Sequence, residues 1–263
     1  MQKTIDVFKK RKMTYTLVFL AFIIIFAGAS AVAEFNPIQG LASFPAAMQW
    51  IVTNLIPDAE ALEKLPKILS DLLETALLSV AVTVVAAVLA FFFSLLGSNI
   101  TKSNGFVKRA VRIVGAFFRN VPDVVWAMLL MFSFGQNILT GFFALFFTTF
   151  GLLTRAFIET IDEVSSSCVE ALDATGANFI QKVFQGIIPS SLSGIVTWVL
   201  YMIETNIRSS TLIGILTATG IGYLFDLYYK RLDFSSASLV VLSIVILVLV
   251  IETISNRIRK VIL

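Results

Sequence analysis

The chain has 263 residues, of which 57% are hydrophobic and only 14% are charged, whereas soluble domains carry about 25% charged residues. With a mean hydropathy of +0.90, this composition excludes an ordinary soluble protein. The chain has no His and one Cys, Cys168, which excludes His-based catalytic triads, His-containing metal sites and an intrachain disulfide. The net charge of +3 says less than the positions of the charges.

Long apolar stretches recur along the chain, and several approach the ~20 residues that a helix needs to cross a bilayer. They do not alternate with polar residues as membrane strands do. The sequence therefore predicts an all-α membrane protein with about six transmembrane helices. The predicted spans are residues 14–33, 72–96, 121–134, 138–158, 191–207 and 239–254. The third is short, and we expect residues 116–119 to extend it.

The N-terminus has the pattern of a signal peptide, because a basic stretch and an apolar run end at Ala31-Val32-Ala33. The run is long for a signal, so we expect an uncleaved first helix, and a mature start at Glu34 would contradict this.

The predicted organisation is a cytoplasmic N-terminus (1–13), a first transmembrane helix (14–33), an extracytoplasmic loop (34–70) and a core transmembrane domain (71–263). Within the loop, residues 41–56 are predicted to form a surface-lying amphipathic connector, with Trp50 at the membrane interface.

Two carboxylates, Asp71 and Glu74, are expected to lie at the N-terminus of the second span, where the helix dipole favours negative charge. We assign them no role in transport.

The Lys and Arg residues are distributed unevenly between the predicted loops. By the positive-inside rule, this places both termini and the loop after the fourth span in the cytoplasm. Fifteen of the 20 fall on that side: Lys3, Lys9, Lys10, Arg11, Lys12, Lys102, Lys108, Arg109, Arg112, Arg119, Arg155, Lys182, Arg257, Arg259 and Lys260. The other five are Lys64, Lys67, Arg208, Lys230 and Arg231.

The stretch of residues 170–189, called the 170–189 segment below, is polar enough to lie in water between two apolar spans. Its apolar residues recur at helical spacing and predict one apolar helix face: Val169, Leu172, Phe179, Ile180, Val183 and Ile187. Gly176 is predicted to separate two short helices, and Pro189 to lie near the start of the fifth span. Either the segment contacts a partner protein or it is an amphipathic helix on the membrane.

The spacing in this segment resembles the cytoplasmic loop signature of ABC-importer permeases: Glu-Ala-Ala, three residues, Gly, nine residues, Ile-x-Leu-Pro. The matching positions are Glu170, Ala171, Leu172, Gly176, Gly186, Ile188 and Pro189. The departures are Leu172 for Ala, Gly186 for Ile and Ile188 for Leu. The resemblance implies a type I ABC importer permease fold with a coupling loop at 159–190. It also implies a coupling helix that binds the ATPase through Glu170, Ala171, Asp173, Ala174, Gly176, Ala177 and Phe179.

Most of the chain from about residue 70 onward is similar to the phosphonate-type permeases. The similar blocks are residues 119–127, 170–177, 204–210 and 214–222. The similarity implies transport of phosphonate or a related phosphorus oxyanion such as phosphite. Leu216, Thr217 and Thr219 replace small residues that this subfamily favours, and the first seventy residues carry little of the similarity.

Arg208 ends an apolar span, and a guanidinium suits bidentate contact with an oxyanion. With Asn206, Ser209 and Ser210 it is predicted to line the substrate path. Alternatively, Arg208 pairs with Glu204 or extends to the membrane interface.

The Gly- and Thr-rich stretch of residues 214–223 contains Gly214, Gly220 and Gly222 and is too short to span a bilayer. It is predicted to be a gate loop, with an ordinary outer loop as the alternative. The charged residues that follow are predicted to form a solvated edge before the sixth span: Asp226, Lys230, Arg231 and Asp233.

The chain has no phosphate-binding loop of the G-x-x-x-x-G-K-[ST] type. We expect it to bind no cofactor and to catalyse no reaction, with ATP and Mg bound by a separate ATPase. The resemblance implies an ATPase dimer, a second permease chain and an extracytoplasmic substrate-binding protein as partners. The expected environment is membrane lipid in a bacterial cytoplasmic membrane, with no nucleic acid partner.

Three alternatives stay open at this point. The nearest is a methionine-type or other small-solute importer permease. A membrane scaffold that transports nothing and an intramembrane enzyme belong to different classes and fit the sequence less well.

Overall fold

The computed structural model describes residues 2–101 and 104–262, with side chains from Phe8 onward. Lys102, which the charge pattern assigns to the cytoplasmic side, lies outside the described residues, as does the side chain of Lys3. All regular elements in the described ranges are helical, which confirms the predicted class. The chain forms two compact units, Met1–Asn54 and Leu55–Leu263.

The first unit consists of a long apolar helix and two short helices. Helix α1 spans Gln2–Val32, and its segment Phe8–Val32 is long and apolar enough to cross a membrane. The predicted 41–56 connector is broken into α2 (Pro37–Ala42) and α3 (Phe44–Asn54) at Ser43. Helix α2 begins where the Asn36 side chain accepts hydrogen bonds from the next turn.

The second unit is a bundle of ten helices and one π-helical turn within the described residues. In chain order they are α4 (Ala59–Glu63), α5 (Leu65–Gly97), α6 (Gly105–Asn120), α7 (Asp123–Phe134), α8 (Ile138–Val164), α9 (Ser166–Ala174), α10 (Phe179–Gln181), the π-helical turn (Lys182–Ile187), α11 (Ile188–Thr217), α12 (Gly220–Lys230) and α13 (Phe234–Ile262). Among the described residues, five helical segments, α1 included, are long and apolar enough to span a membrane, or six if the bent pair α6–α7 counts as one.

The third predicted span is the one that differs most from expectation. Helix α7 has only 12 residues, and α6 meets it at 89°, so residues 116–119 do not extend it along the same axis. The cause is local: Pro122 disfavours helical backbone at the residue before it, and Val121 is extended, with φ −92° and ψ 120°.

Helix α5 begins earlier than the second predicted span, at Leu65 with Pro66 in its first turn. Asp71 and Glu74 therefore lie in the second and third turns, and their predicted position at the helix N-terminus is wrong. Asp71 is buried and accepts a 2.7 Å hydrogen bond from Lys67 Nζ. Its charge is balanced by that pairing and not by the helix dipole.

The centre of the bundle is formed by α5, α8 and α11. Small residues on α5 meet large apolar side chains of the other two helices, and this pairing brings the backbones close together. The buried residues of this cluster are Ala86, Ala90, Phe150, Leu153, Phe157 and Met202. Phe118 of α6 stacks on Phe147 of α8, with ring centroids 4.9 Å apart, and holds α6 against the bundle.

An ion pair connects the start of α5 to the start of α13. Lys64 Nζ donates to Asp233 Oδ2 at 2.8 Å and to Ser236 Oγ at 2.9 Å. Burial raises the pKa of Asp233, but hydrogen bonds from Lys64 and Ser236 outweigh it and hold that pKa below its usual value. Asp233 is thus not part of a solvated edge as predicted, whereas Lys230, paired with Asp226, is exposed.

Candidate functional site

The first part of the 170–189 segment folds as predicted around a break at Gly176. Helix α9 ends at Ala174, and Gly176 adopts φ +79°, a conformation that glycine reaches without steric cost. The Ala177 amide donates back to the Leu172 carbonyl oxygen at 3.1 Å and closes the helix end. The predicted break at Gly176 is confirmed, but only the helix before it is short, because the helical path after it continues to Thr217.

The second part restarts at once and runs into the next long helix. Asn178 and Gln181 form a reciprocal capping box, with 2.8 and 2.9 Å hydrogen bonds, which begins α10. From Phe179 the helical path continues to Thr217, longer than the predicted 191–207 span. Pro189 is the second residue of α11 and follows the π-helical turn.

One face of the segment packs against the ends of α5 and α8. Val169, Val183 and Ile187 are buried together with Leu95 and Ile161. Asp173 pairs with Lys182 across the break, which holds the two parts at a fixed angle. The segment therefore belongs to the rigid bundle and does not lie apart from it as a separate surface helix.

Two departures from the family signature compensate each other in space. A Cβ on Gly186 would lie 2.9 Å from Leu172 Cδ1, closer than real Cβ atoms approach a neighbour. Positions 172 and 186 therefore face each other. Position 172 carries a larger side chain than the signature has, and position 186 carries a smaller one. The packing volume is retained although neither residue matches.

The opposite face of the segment is exposed and partly apolar. Phe179, Ile180 and Phe184 are 50%, 65% and 66% exposed. The single apolar face predicted for the segment is therefore wrong, because Phe179 and Ile180 are exposed whereas Val169, Val183 and Ile187 are buried. Of the predicted coupling residues, the structure exposes Glu170, Ala171, Ala174, Gly176 and Phe179, and half-buries Asp173 and Ala177.

The four residues predicted to line a substrate path do not share one surface. Asn206 and Ser210 are buried, 3% and 4% exposed, whereas Arg208 is exposed. Residues two apart on a helix point about 200° apart, so this separation follows from helical geometry. Arg208 donates to Glu204 Oε1 at 3.0 Å, the predicted alternative pairing, and Ser209 is half-buried.

The buried pair belongs to a polar ladder along α5. Thr75, Ser79 and Thr83 follow one another at four-residue spacing on one face of that helix. Ser79 Oγ donates to Ser210 Oγ at 3.1 Å, and the Asn206 amide donates to Thr83 Oγ1 at 2.9 Å. Asn206 also bonds to Thr149 on α8, so the ladder joins three helices and satisfies its buried polar groups.

The predicted gate loop is a close crossing of two helices. Gly214 is inside α11 and Gly222 inside α12, and only Ala218 and Thr219 connect them. A Cβ on Gly222 would lie 2.0 Å from the Thr211 carbonyl oxygen, and a Cβ on Gly214 would lie 2.5 Å from that of Thr219. The prediction failed because Gly214 and Gly222 permit close helix packing and do not form a loop. Of the three glycines in this stretch, Gly220 alone has a positive φ, +57°.

Comparisons with known proteins agree with this architecture. The family model described as "Binding-protein-dependent transport system inner membrane component" matches residues 94–263. A protein of Stutzerimonas stutzeri that carries the name phosphite transport system permease protein HtxC is 28% identical over 258 residues, covering 98% of this chain and 90% of HtxC. Another from the same organism, phosphite transport system permease protein PtxC, is 25% identical and covers 72% of this chain and 69% of PtxC.

Among solved structures, an inward-facing conformation of the MetNI methionine ABC transporter matches with a TM-score of 0.68 and 19% identity. The match covers 78% of this chain and 99% of that one. Because the identity is low, this likeness concerns the fold, which has the arrangement of an ABC importer permease. The matched family model covers more than half of the chain and includes the 170–189 segment, so the chain belongs to the binding-protein-dependent inner-membrane transport components, the permease subunits of ABC importers.

Proposed function

We propose that this permease subunit carries phosphonate or a related phosphorus oxyanion, such as phosphite, into the cell. The relatives HtxC and PtxC carry the name of phosphite transport system permeases, and HtxC aligns with nearly the whole chain. The sequence blocks similar to phosphonate permeases lie on α6–α7, α9, and the α11–α12 crossing, all within the second unit. A methionine substrate has no support beyond a shared fold.

The exposed face of the 170–189 segment carries the proposed energy coupling. It exposes Phe179, Ile180 and Phe184, three large apolar side chains that the bundle leaves uncovered. We infer that this face binds a cleft of an ABC ATPase, which holds the ATP and Mg. Because the other face packs on α5 and α8, movement of the ATPase reaches the spans through a rigid contact.

Transport is proposed to occur by alternating access. Two permease chains, identical or sister subunits, assemble with two ATPases and receive the substrate from an extracytoplasmic binding protein. ATP-driven closure of the ATPases brings the two 170–189 segments together, and the bundles rotate as rigid bodies. In this arrangement the 170–189 segment, both termini and α6 face the cytoplasm, and the chain itself catalyses no reaction.

Arg208 is the proposed contact for the oxyanion. Its side chain is 55% exposed, and its bond to Glu204 uses one of five guanidinium N–H donors. Glu204 holds the guanidinium in one orientation on α11, which leaves a planar pair of donors for a phosphorus oxyanion. Asn206 and Ser210 are assigned a structural role in the polar ladder, and only Arg208 and Ser209 remain candidates for the substrate path.

Arg208→Lys is expected to reduce uptake of phosphite or phosphonate by about tenfold, because an ammonium cannot replace a bidentate guanidinium contact. The measurement is uptake of labelled substrate by cells that express the complete transporter. Lys230→Arg is the matched control, because Lys230 also pairs at four-residue spacing with a partly buried acid, Asp226. Unchanged uptake in Arg208→Lys, with normal assembly, would contradict the role of Arg208.

A further inference from the structure

A cavity of about 280 Å³ lies between α6 and α8, outside both sites considered so far. The two helices approach closely beside it, because a Cβ on Gly151 would lie 2.5 Å from the Arg119 amide nitrogen. Its volume is several times the ~30 Å³ that one water molecule occupies in the liquid. Arg119 and Thr154 line it, with Arg112, Arg155 and Glu159.

Two polar groups in this cavity are buried without partners. Thr154 is 1% exposed, and its hydroxyl makes no hydrogen bond to any described residue. The Nε of Arg119 is buried in the same way, although Arg119 as a whole is half-buried. Buried polar groups in folded proteins are nearly always satisfied, so two unsatisfied donors on residues that line one cavity favour a bound group that supplies acceptors.

The charges around the cavity favour an anion. Arg112 Nη2 lies 3.1 Å from Asp162 Oδ2, and Arg155 Nε lies 2.6 Å from Glu159 Oε1, so both of these arginines are paired with an acid. Arg119 has no acidic partner within the part of the chain that the structure describes, and it leaves the cavity with an unbalanced positive charge. A guanidinium and a hydroxyl that line the same cavity form a donor set suited to phosphate oxygens.

The cavity lies at the same end of the bundle as the 170–189 segment. The Arg112 Nε donates to the Gly97 carbonyl oxygen at 3.0 Å, where α5 ends. Thr154 lies ten residues before the end of α8, about 15 Å from it along the helix axis. Phosphate groups of lipids and free phosphate in the cell can both reach a site at this depth.

Helix α6 itself has the character of an interfacial helix. It is amphipathic, carries Arg109 and Lys108, and exposes Phe106 and Ile113. It is bent by 89° from α7 and packs along α8 from the Arg112–Asp162 pair to the close approach of Arg119 and Gly151.

We propose that the cavity between α6 and α8 binds a phosphate-type anion through Arg119 and Thr154. The ligand is the headgroup of an anionic lipid or a free phosphate ion. This site is separate from Arg208 and from the ATPase-binding face, so the proposal does not depend on the identity of the transported substrate.

The test uses the full chain in nanodiscs and two probes. In phosphatidylcholine discs, binding of radiolabelled inorganic phosphate is measured, and in discs that contain phosphatidylglycerol, retention of that lipid is measured by native mass spectrometry. Arg119→Gln and the isosteric Thr154→Val are compared with Arg109→Gln, which makes the same charge change on α6 outside this cavity. Thermal unfolding of each variant checks that the fold is retained.

We expect Arg119→Gln to weaken binding of one probe by about tenfold or more, and Thr154→Val to weaken it by a smaller factor. Arg109→Gln should stay within about twofold. If Arg119→Gln loses phosphate binding, the ligand is a free anion. If Arg119→Gln loses lipid retention, the ligand is a lipid headgroup. If neither probe binds, or if Arg109→Gln has the same effect as Arg119→Gln, the proposal is overturned; folded Thr154→Val with unchanged binding removes Thr154 from it.

Discussion

Gly222→Ala is expected to prevent the chain from accumulating as a folded protein. The added methyl group would lie 2.0 Å from the Thr211 carbonyl oxygen and 2.9 Å from the Ile215 amide nitrogen, both backbone atoms. Overpacking costs about 1–3 kcal/mol where side chains can adjust, and backbone atoms inside α11 cannot move aside without separating the two helices. The measurement is the yield of monodisperse protein in detergent and its thermal unfolding.

Gly28→Ala is the matched control, since Gly28 is also inside a helix but has nothing within 4 Å of the added Cβ. There the change should be neutral or stabilising by up to about 1 kcal/mol, because alanine is the better helix former. A Gly222→Ala protein with wild-type yield and unfolding temperature would contradict the close crossing of α11 and α12.

Gly176→Asp is expected to abolish most of the uptake while leaving the permease–ATPase complex assembled. The substitution places a charge on the exposed turn between α9 and α10, where the ATPase is proposed to bind. Desolvating an unpaired carboxylate at that interface opposes close contact. We expect ATP hydrolysis to continue without stimulation by the substrate-loaded binding protein, measured on the reconstituted complex together with uptake.

Gly135→Asp provides a control in which the backbone cost is substantial, because Gly135 has φ +73° and ψ −171°, a region that essentially only glycine occupies. Gly135 has φ +73°, against +79° at Gly176, and at both positions nothing lies within 4 Å of the added Cβ. Gly135 precedes α8 and the 170–189 segment follows it, so the two sites are at opposite ends of a 27-residue helix. If both variants lose the same fraction of transport, backbone strain explains the loss and the proposed ATPase contact is not supported.

The sequence predicted the helical class, most of the spans and the break at Gly176 because these depend on local properties. An apolar run of sufficient length has few alternatives in a membrane, and a glycine before a new capping residue, Asn178, marks a helix end. The bend between α6 and α7 is also local, since Pro122 disfavours helical backbone at Val121. The predicted extension of the third span gave too little weight to that proline.

Other features depend on residues far apart in the chain and could not be predicted from local patterns. The match between Leu172 and Gly186 is visible only when α9 folds against the π-helical turn. Gly214 and Gly222 have the composition of a loop, and only the crossing of α11 with α12 shows why glycine is needed. The sequence placed Arg119 among the cytoplasmic charges and in the 119–127 block, and a ligand-binding role was not predicted because the cavity is formed with α8.

The substrate-path prediction failed for a different reason, which the sequence already contained. Asn206 and Arg208 are two residues apart in the sequence. Because α11 continues through both of them, the helical repeat places their side chains on opposite faces. The extent of that helix was underestimated, and the four polar residues were therefore grouped as one patch. The pairing of Arg208 with Glu204 was correctly given as an alternative.

The most direct test of the account is to find what contacts Ala174, an exposed residue at the end of α9. Ala174→Cys in a Cys168→Ser background is labelled with benzophenone maleimide, and the assembled complex is irradiated. We predict crosslinking of the permease to the ABC ATPase, with the products identified by mass spectrometry. The same label on Gly135→Cys should give no ATPase product. A complex that purifies intact and hydrolyses ATP, yet shows no ATPase product from Ala174→Cys, would contradict the account.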